Sequence, residues 1–200
     1  MIIAITGAVG SGKSRVAAML ASALSCDCID TDMVCRQLLM PEQSGWFELK
    51  KQYADRFFAD DGQLDRTMLR EAVFADPTVR QDLEEILHPR VRQLVAKAAE
   101  DVAAKGKYLL VEVPLLFEVG WQEDFDCVVA VYAPTSVCGA RTSQRDGVPH
   151  QQVESILSLQ LSSEEKAKRA DLVVNNGGIW AATVLQISHL VRQLESNGLE

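Results

Sequence analysis

Apolar positions along this chain follow two rhythms. Short, largely apolar runs rich in β-branched residues recur at 2–5, 26–29, 107–113, 127–132 and 171–174. Such runs, bounded by turn residues, read as strands buried on both faces of a parallel sheet. Between them the apolar residues recur at helical spacing, over 15–24, 33–39, 134–145, 149–161, 163–169 and 180–194. Strands alternating with helices predict an α/β domain built on a mainly parallel, five-stranded sheet. One stretch departs from that alternation. Residues 41–105 are helical in pattern throughout, with breaks at Gly45, Gly62, Pro77 and Pro89, and with Leu64, Met68, Leu69 and Val73 on one face. This predicts a helical subdomain inserted between the second and third strands, a natural place to hold a second substrate. Pro89 fits the first turn of a helix, so a new helix is expected to start there.

The first strand runs straight into Gly7-Ala8-Val9-Gly10-Ser11-Gly12-Lys13-Ser14, which fits G-x-x-x-x-G-K-[ST]. Strand, glycine loop and helix stand in the order a phosphate-binding loop requires. Backbone N–H groups of a curled loop and a helix N-terminus converge on a polyphosphate. Gly7, Gly10 and Gly12 let the main chain curl and approach it. Lys13 reaches the β- and γ-phosphates, and the Ser14 hydroxyl is placed to ligate Mg²⁺. Gly10, Ser11, Gly12, Lys13 and Ser14 are therefore the expected donor-phosphate residues.

Asp30-Thr31-Asp32 closes the second strand, where ligands bind in open α/β sheets. Asp30 or Thr31 suffices to cap the next helix. A second carboxylate, Asp32, matches the base that phosphoryl transfer to a hydroxyl needs. Glu112, near the carboxyl end of the third strand, stands where a metal-proximal acid is expected. Arg141 and Arg145 lie four apart on one helix face, as planar donors for charge on a transferred phosphoryl group. His88 and Arg90 flank Pro89, either toward an anion or as a helix break with a solvated arginine.

Composition narrows the class. A length of 200 residues fits one domain with a sizeable insertion, and a net charge of −8 argues against a nucleic-acid or membrane-surface partner. No apolar run approaches a bilayer span, and no export signal precedes the first strand, so a cytoplasmic protein is expected. Five cysteines, an odd number, suggest reduced thiols, and the three scattered histidines suggest no metal site of protein ligands alone.

With these residues in view the chain resembles the dephospho-coenzyme A kinase family over nearly its whole length. The likeness rests on residues 5–14, Ile29-Asp30-Thr31-Asp32, Leu64-Asp65-Arg66, Leu69-Arg70, Val73-Phe74 and Leu87-His88-Pro89. It continues through Val113-Pro114-Leu115-Leu116-Phe117-Glu118, Gln144-Arg145-Asp146, Ala170-Asp171 and Asn175-Asn176. The resemblance implies a three-layer P-loop NTPase fold in three parts. These are a core (about 1–40, 106–133 and 170–200), a helical acceptor subdomain (about 41–105) and a helical lid (about 134–169). It implies ATP and Mg²⁺ as donor, and the ribose 3′-hydroxyl of dephospho-coenzyme A as acceptor, in the last step of coenzyme A synthesis. By position Asp32 matches the family's base, Lys13 and Ser14 its phosphate and metal site, and Arg145 with Arg141 its lid arginines. Asn175 falls near the adenine, and Arg66 and His88 in the acceptor domain. Arg15 stands where Thr is usual, at an α-phosphate contact, and belongs to the expected nucleotide set. Ala8 replaces a usual Gly, Thr31 a usual Ala, and Glu112 a usual Asp, one methylene shorter, for a metal contact through water. A monomer or weak homo-oligomer is expected. The rival is a nucleoside or nucleotide kinase of the same fold. A GTP-binding switch fits poorly, because none of Asn175, Asn176 and Asn197 precedes a lysine.

Overall fold

The computed structural model describes residues 1–104 and 107–197. In chain order the elements are β1 (Ile2–Thr6), α1 (Lys13–Leu24), β2 (Asp27–Asp30), α2 (Thr31–Leu38), α3 (Ser44–Tyr53), α4 (Arg66–Ala75), α5 (Pro77–Ala103) and β3 (Leu109–Glu112). A 3₁₀ turn (Gln122–Asp124) leads to β4 (Cys127–Tyr132), α6 (Thr135–Asp146), α7 (His150–Leu157), α8 (Ser163–Arg169), β5 (Leu172–Asn175) and α9 (Trp180–Asn197). The chain divides into two compact units, residues 31–98 and the remainder.

The larger unit holds a five-stranded sheet in the order β2-β3-β1-β4-β5, and every pairing is parallel. Parallel strands need crossovers, and the helices that supply them cover the faces, so the central strands are apolar on both sides. Ile3, Ile5, Leu110, Val129 and Val131 are accordingly buried, packed with Val16 and Leu20 of α1 and Ile187, Leu190 and Leu194 of α9. Each such side chain contributes roughly 1.5–3 kcal/mol on burial. Two aspartates fix where strands begin. Asp126 accepts from the Ile2 amide (2.6 Å), and Asp171 accepts from the Val128 amide (2.7 Å). With the register set in this way, Thr6, Asp30, Glu112, Tyr132 and Asn175 end the five strands at one edge of the sheet.

The smaller unit is helical. Asp65 starts α4 by accepting from the Thr67 and Met68 amides (3.0 and 2.9 Å), which explains the Leu64-Asp65-Arg66 pattern as a helix cap. The expected break at Pro89 is absent: α5 runs through it from residue 77 to 103. Proline removes one helical N–H there, and the Arg90 guanidinium donates to the Ile86 carbonyl (2.6 Å) beside the gap. Asp82 accepts from the Tyr53 hydroxyl, tying α3 to α5. The junction expected at residues 105 and 106, and residues 198–200 of the expected core, lie outside the described residues.

Candidate active site

The loop between β1 and α1 is wound tightly. Gly10 and Gly12 have φ of 79° and 90°, in the left-handed region that favours glycine. Space decides the same two positions. A Cβ on Gly10 would lie 2.3 Å from the Cys138 carbonyl oxygen, and one on Gly12 would lie 2.3 Å from the Asn176 amide nitrogen. The loop is thus clasped by α6 and by the turn after β5.

Asn176 is the inner half of that clasp. Its Nδ2 donates to the Ser11 carbonyl (2.7 Å), and its Oδ1 accepts from the Thr183 hydroxyl of α9 (3.0 Å). A trans peptide points its C=O and the next N–H in opposite directions. Binding the Ser11 oxygen therefore turns the Gly12 N–H away from the Asn176 side chain. Gly12 has no side chain with which to cap α1, and the first helical bond runs from Val16 to Gly12. The amides at the start of α1, those of Ser14 and Arg15 among them, precede that first bond, and such a helix N-terminus is a ready-made anion site.

Around these amides the side chains are charged and hydroxylic. Lys13 is buried, and its Nζ donates to the Ala8 carbonyl (3.2 Å). The Ser14 hydroxyl donates to Glu112 Oε1 (2.8 Å), and Glu112 itself is buried. Asp30 sits opposite Glu112 in the strand register, so two carboxylates close β2 and β3 side by side. Burial, then Glu112, Cys26 and Asp30 push the Cys28 thiol up to about 11, so it stays protonated at neutral pH. Magnesium takes oxygen ligands and keeps several waters. The Ser14–Glu112 contact fits such an ion. Among the described residues no group of three or more His, Cys, Asp or Glu could hold one unaided.

The two arginines of α6 separate. Arg145 is exposed and forms a bidentate pair with its neighbour Asp146 (2.7 and 2.8 Å), which raises the guanidinium's pKa and lowers the carboxylate's. Arg141 has a buried Nη1 with no hydrogen-bond partner among the described residues. Burial pushes the Cys138 thiol up, while a hydrogen bond with Ser163 and then the charges of Arg141 and Lys13 pull it back. Cys138 is also the residue against which Gly10 packs. Arg15 stacks its guanidinium over the Trp180 ring at 3.7 Å. Asn175 is exposed; its side chain accepts from the Gly177 amide (2.9 Å) and shapes the turn.

Glu118 and Lys166 form a contact that the sequence reading missed. Lys166 is fully buried; it donates to both Glu118 oxygens (2.7 and 2.8 Å) and to the Pro114 carbonyl (2.7 Å). Glu118 also accepts from the Leu161 amide (2.9 Å). Desolvation lowers the Lys166 pKa and Glu118 opposes the shift, so the ammonium depends on its partner. The pair fastens α8 and the connector before it to the loop after β3.

Within the smaller unit, Asp32, Cys35 and Arg36 of α2 and Arg66 and Arg70 of α4 line a cavity of about 460 Å³ with an apolar remainder that includes Leu64, Leu69 and Val73. Arg66 donates to the Arg36 carbonyl (3.3 Å). His88, half-buried on α5, is not among the lining residues; burial lowers its pKa, Glu84 raises it and Arg92 lowers it.

Comparison with known proteins gives a consistent result. The family described as dephospho-CoA kinase matches residues 1–181. A dephospho-CoA kinase of Desulfotalea psychrophila is 38% identical over 191 residues, covering 96% of each chain. A crystal structure of a Thermus thermophilus protein superposes with a TM-score of 0.82 at 32% identity, covering 97% of each chain. A dephospho-CoA kinase of Campylobacter jejuni shares the fold, with a TM-score of 0.72 at 23% identity over 98% of each chain.

Proposed function

This chain belongs to the dephospho-coenzyme A kinase family, and from that premise we propose how its residues carry the family's reaction. The enzyme phosphorylates dephospho-coenzyme A to give coenzyme A. ATP is the donor, and the ribose 3′-hydroxyl is the acceptor.

The donor's phosphates lie against the Gly12, Lys13 and Ser14 amides, with Lys13 on the β- and γ-phosphates. The observation that best supports this reading is the Asn176 tie to Ser11, which leaves the Gly12 N–H facing away from Asn176 and open to the role of an anion donor. Ser14, with Glu112 through water, would hold Mg²⁺. When bound, the ion neutralises charge on the phosphate oxygens. Arg141 meets the charge that spreads over the transferred group, because its Nη1 is buried without a partner. Arg145 joins only by leaving Asp146. Arg15, held flat on Trp180, serves the α-phosphate side, and Asn175 the base.

Asp32, two residues beyond the end of β2, takes the proton of the acceptor hydroxyl as it attacks the γ-phosphorus. Arg36, Arg66 and Arg70 suit the acceptor's diphosphate, and the apolar lining suits its long amide arm. His88 serves the same domain. Closure of the 134–169 stretch excludes water, which otherwise competes as acceptor. With no helix among the described residues long and apolar enough to cross a membrane, a cytoplasmic site of action is proposed.

The test is incubation with ATP, Mg²⁺ and dephospho-coenzyme A, followed by mass analysis for the 3′-phosphorylated product. Asp32→Asn should lower kcat by about 10²–10⁴ with ATP binding kept. Undiminished turnover rejects the base, and preference for nucleoside monophosphates favours a nucleotide kinase.

A further inference from the structure

One amide of the phosphate loop is taken by a side chain to which the mechanism above gives no role of its own. Val9 N–H donates to Gln160 Oε1 at 3.2 Å. Gln160 lies in the connector between α7 and α8. The other end of the same peptide group, the Ala8 carbonyl, accepts from Lys13 Nζ (3.2 Å) and from the Ser11 amide (3.1 Å). No cis peptide occurs among the described residues, so this C=O and N–H point in opposite directions. Holding the Val9 N–H on Gln160 therefore holds the Ala8 oxygen on the opposite side of the peptide, against the Lys13 ammonium. The Gln160 side chain also has a fixed base. The next residue, Leu161, donates its amide to Glu118, whose carboxylate is pinned by the buried Lys166.

We propose that Gln160 is a positioning residue for the donor. Its carboxamide oxygen sets the Ala8–Val9 peptide, the peptide seats Lys13, and readiness of the phosphate loop is thereby tied to docking of the α7–α8 connector. This rests on the loop being the ATP site. The role needs only an acceptor atom at that place, so the chemistry of the side chain decides the outcome, not its bulk.

The experiment compares Gln160→Leu, Gln160→Glu and Leu159→Ala in the full chain. Leu159 is an exposed connector residue, 58% accessible. Gln160→Leu should lower kcat/KM for ATP about fivefold to tenfold, the usual worth of one such hydrogen bond, and leave KM for dephospho-coenzyme A unchanged. Gln160→Glu, which keeps an acceptor oxygen, should retain most of the wild-type value, and Leu159→Ala all of it. The proposal is overturned if Gln160→Leu matches wild type. It also fails if Gln160→Glu falls as far as Gln160→Leu, or if both substrates' KM values move together with the melting temperature. A wild-type chain inactive on dephospho-coenzyme A would refute the acceptor instead. Calorimetric ATP binding to the same variants would still read the Gln160 claim, with about fivefold weaker binding expected for Gln160→Leu.

Discussion

Asn176 offers the sharpest test of how the phosphate loop is aimed. It is 5% exposed and bridges the Ser11 carbonyl to the Thr183 hydroxyl. In Asn176→Ala the Ser11 oxygen loses its donor in a buried place, at about 1–3 kcal/mol. Thr183 suffers less, since the Asn175 carbonyl lies 3.4 Å from its hydroxyl. Once the Ser11 oxygen is released, the Gly12 N–H is no longer turned toward the phosphates. A hydrogen bond to a charged group contributes about 1.5–3 kcal/mol, so kcat/KM for ATP should fall roughly 10–100-fold. Asn176→Asp sharpens the point. It keeps shape and the Thr183 bond but sets a carboxylate oxygen against the Ser11 oxygen, so its loss should equal or exceed that of the alanine. Steady-state kinetics in ATP, with a thermal melt of each variant, provide the measurement. If Asn176→Asp keeps the wild-type kcat/KM, or if Asn176→Ala lowers the melting temperature without touching the ATP dependence, the tie is packing only and the aiming argument is wrong.

Two further outcomes concern stability. Lys166→Met leaves the Glu118 carboxylate, 17% exposed, without its cation, and should cost about 2–4 kcal/mol in urea unfolding; Glu118→Gln in the same background should recover part of that, and no recovery would argue against the ion pair. His88 has a folded pKa lowered from 6.5 by burial, so the unfolded chain takes up its proton first as the solution acidifies. Its contribution is therefore whole above pH 6.5 and declines below it, and His88→Gln should flatten the fall in stability between pH 7.5 and 5.5, measured by urea titration.

Much of this architecture was legible along the chain. The five strands show as apolar runs because parallel strands are buried on both faces, and residues 7–14 show because glycine, lysine and serine must stand at fixed spacing. Other features left no periodic trace. Asn176 and Ser11 are 165 residues apart, and an Asn-Asn-Gly-Gly stretch is fully explained as a turn until the fold brings it to the loop. Glu118 stands out along the chain only as part of a family motif, and nothing there pairs it with Lys166, since burial of a lysine is a property of its surroundings. The Pro89 signal was genuine but was outweighed: packing of Ile86, Leu87 and Val91 carries α5 past one missing hydrogen bond. Arg145 was expected at a phosphate, yet its adjacent Asp146 has claimed it, a competition that spacing alone does not resolve.

The strand order carries a consequence for how the chain is made. β1 is made before the other strands, yet both of its neighbours come more than a hundred residues later: Ile2 waits for Leu109, and Ile3 for Cys127. Until Leu109 is made this apolar segment has no edge to join, so long-range closure, not local helix formation, should set the pace of folding. Newborn molecules interrupted before β4 would present the most water-averse part of the sheet to each other, and production of this protein should respond more to chaperone supply than its modest size suggests.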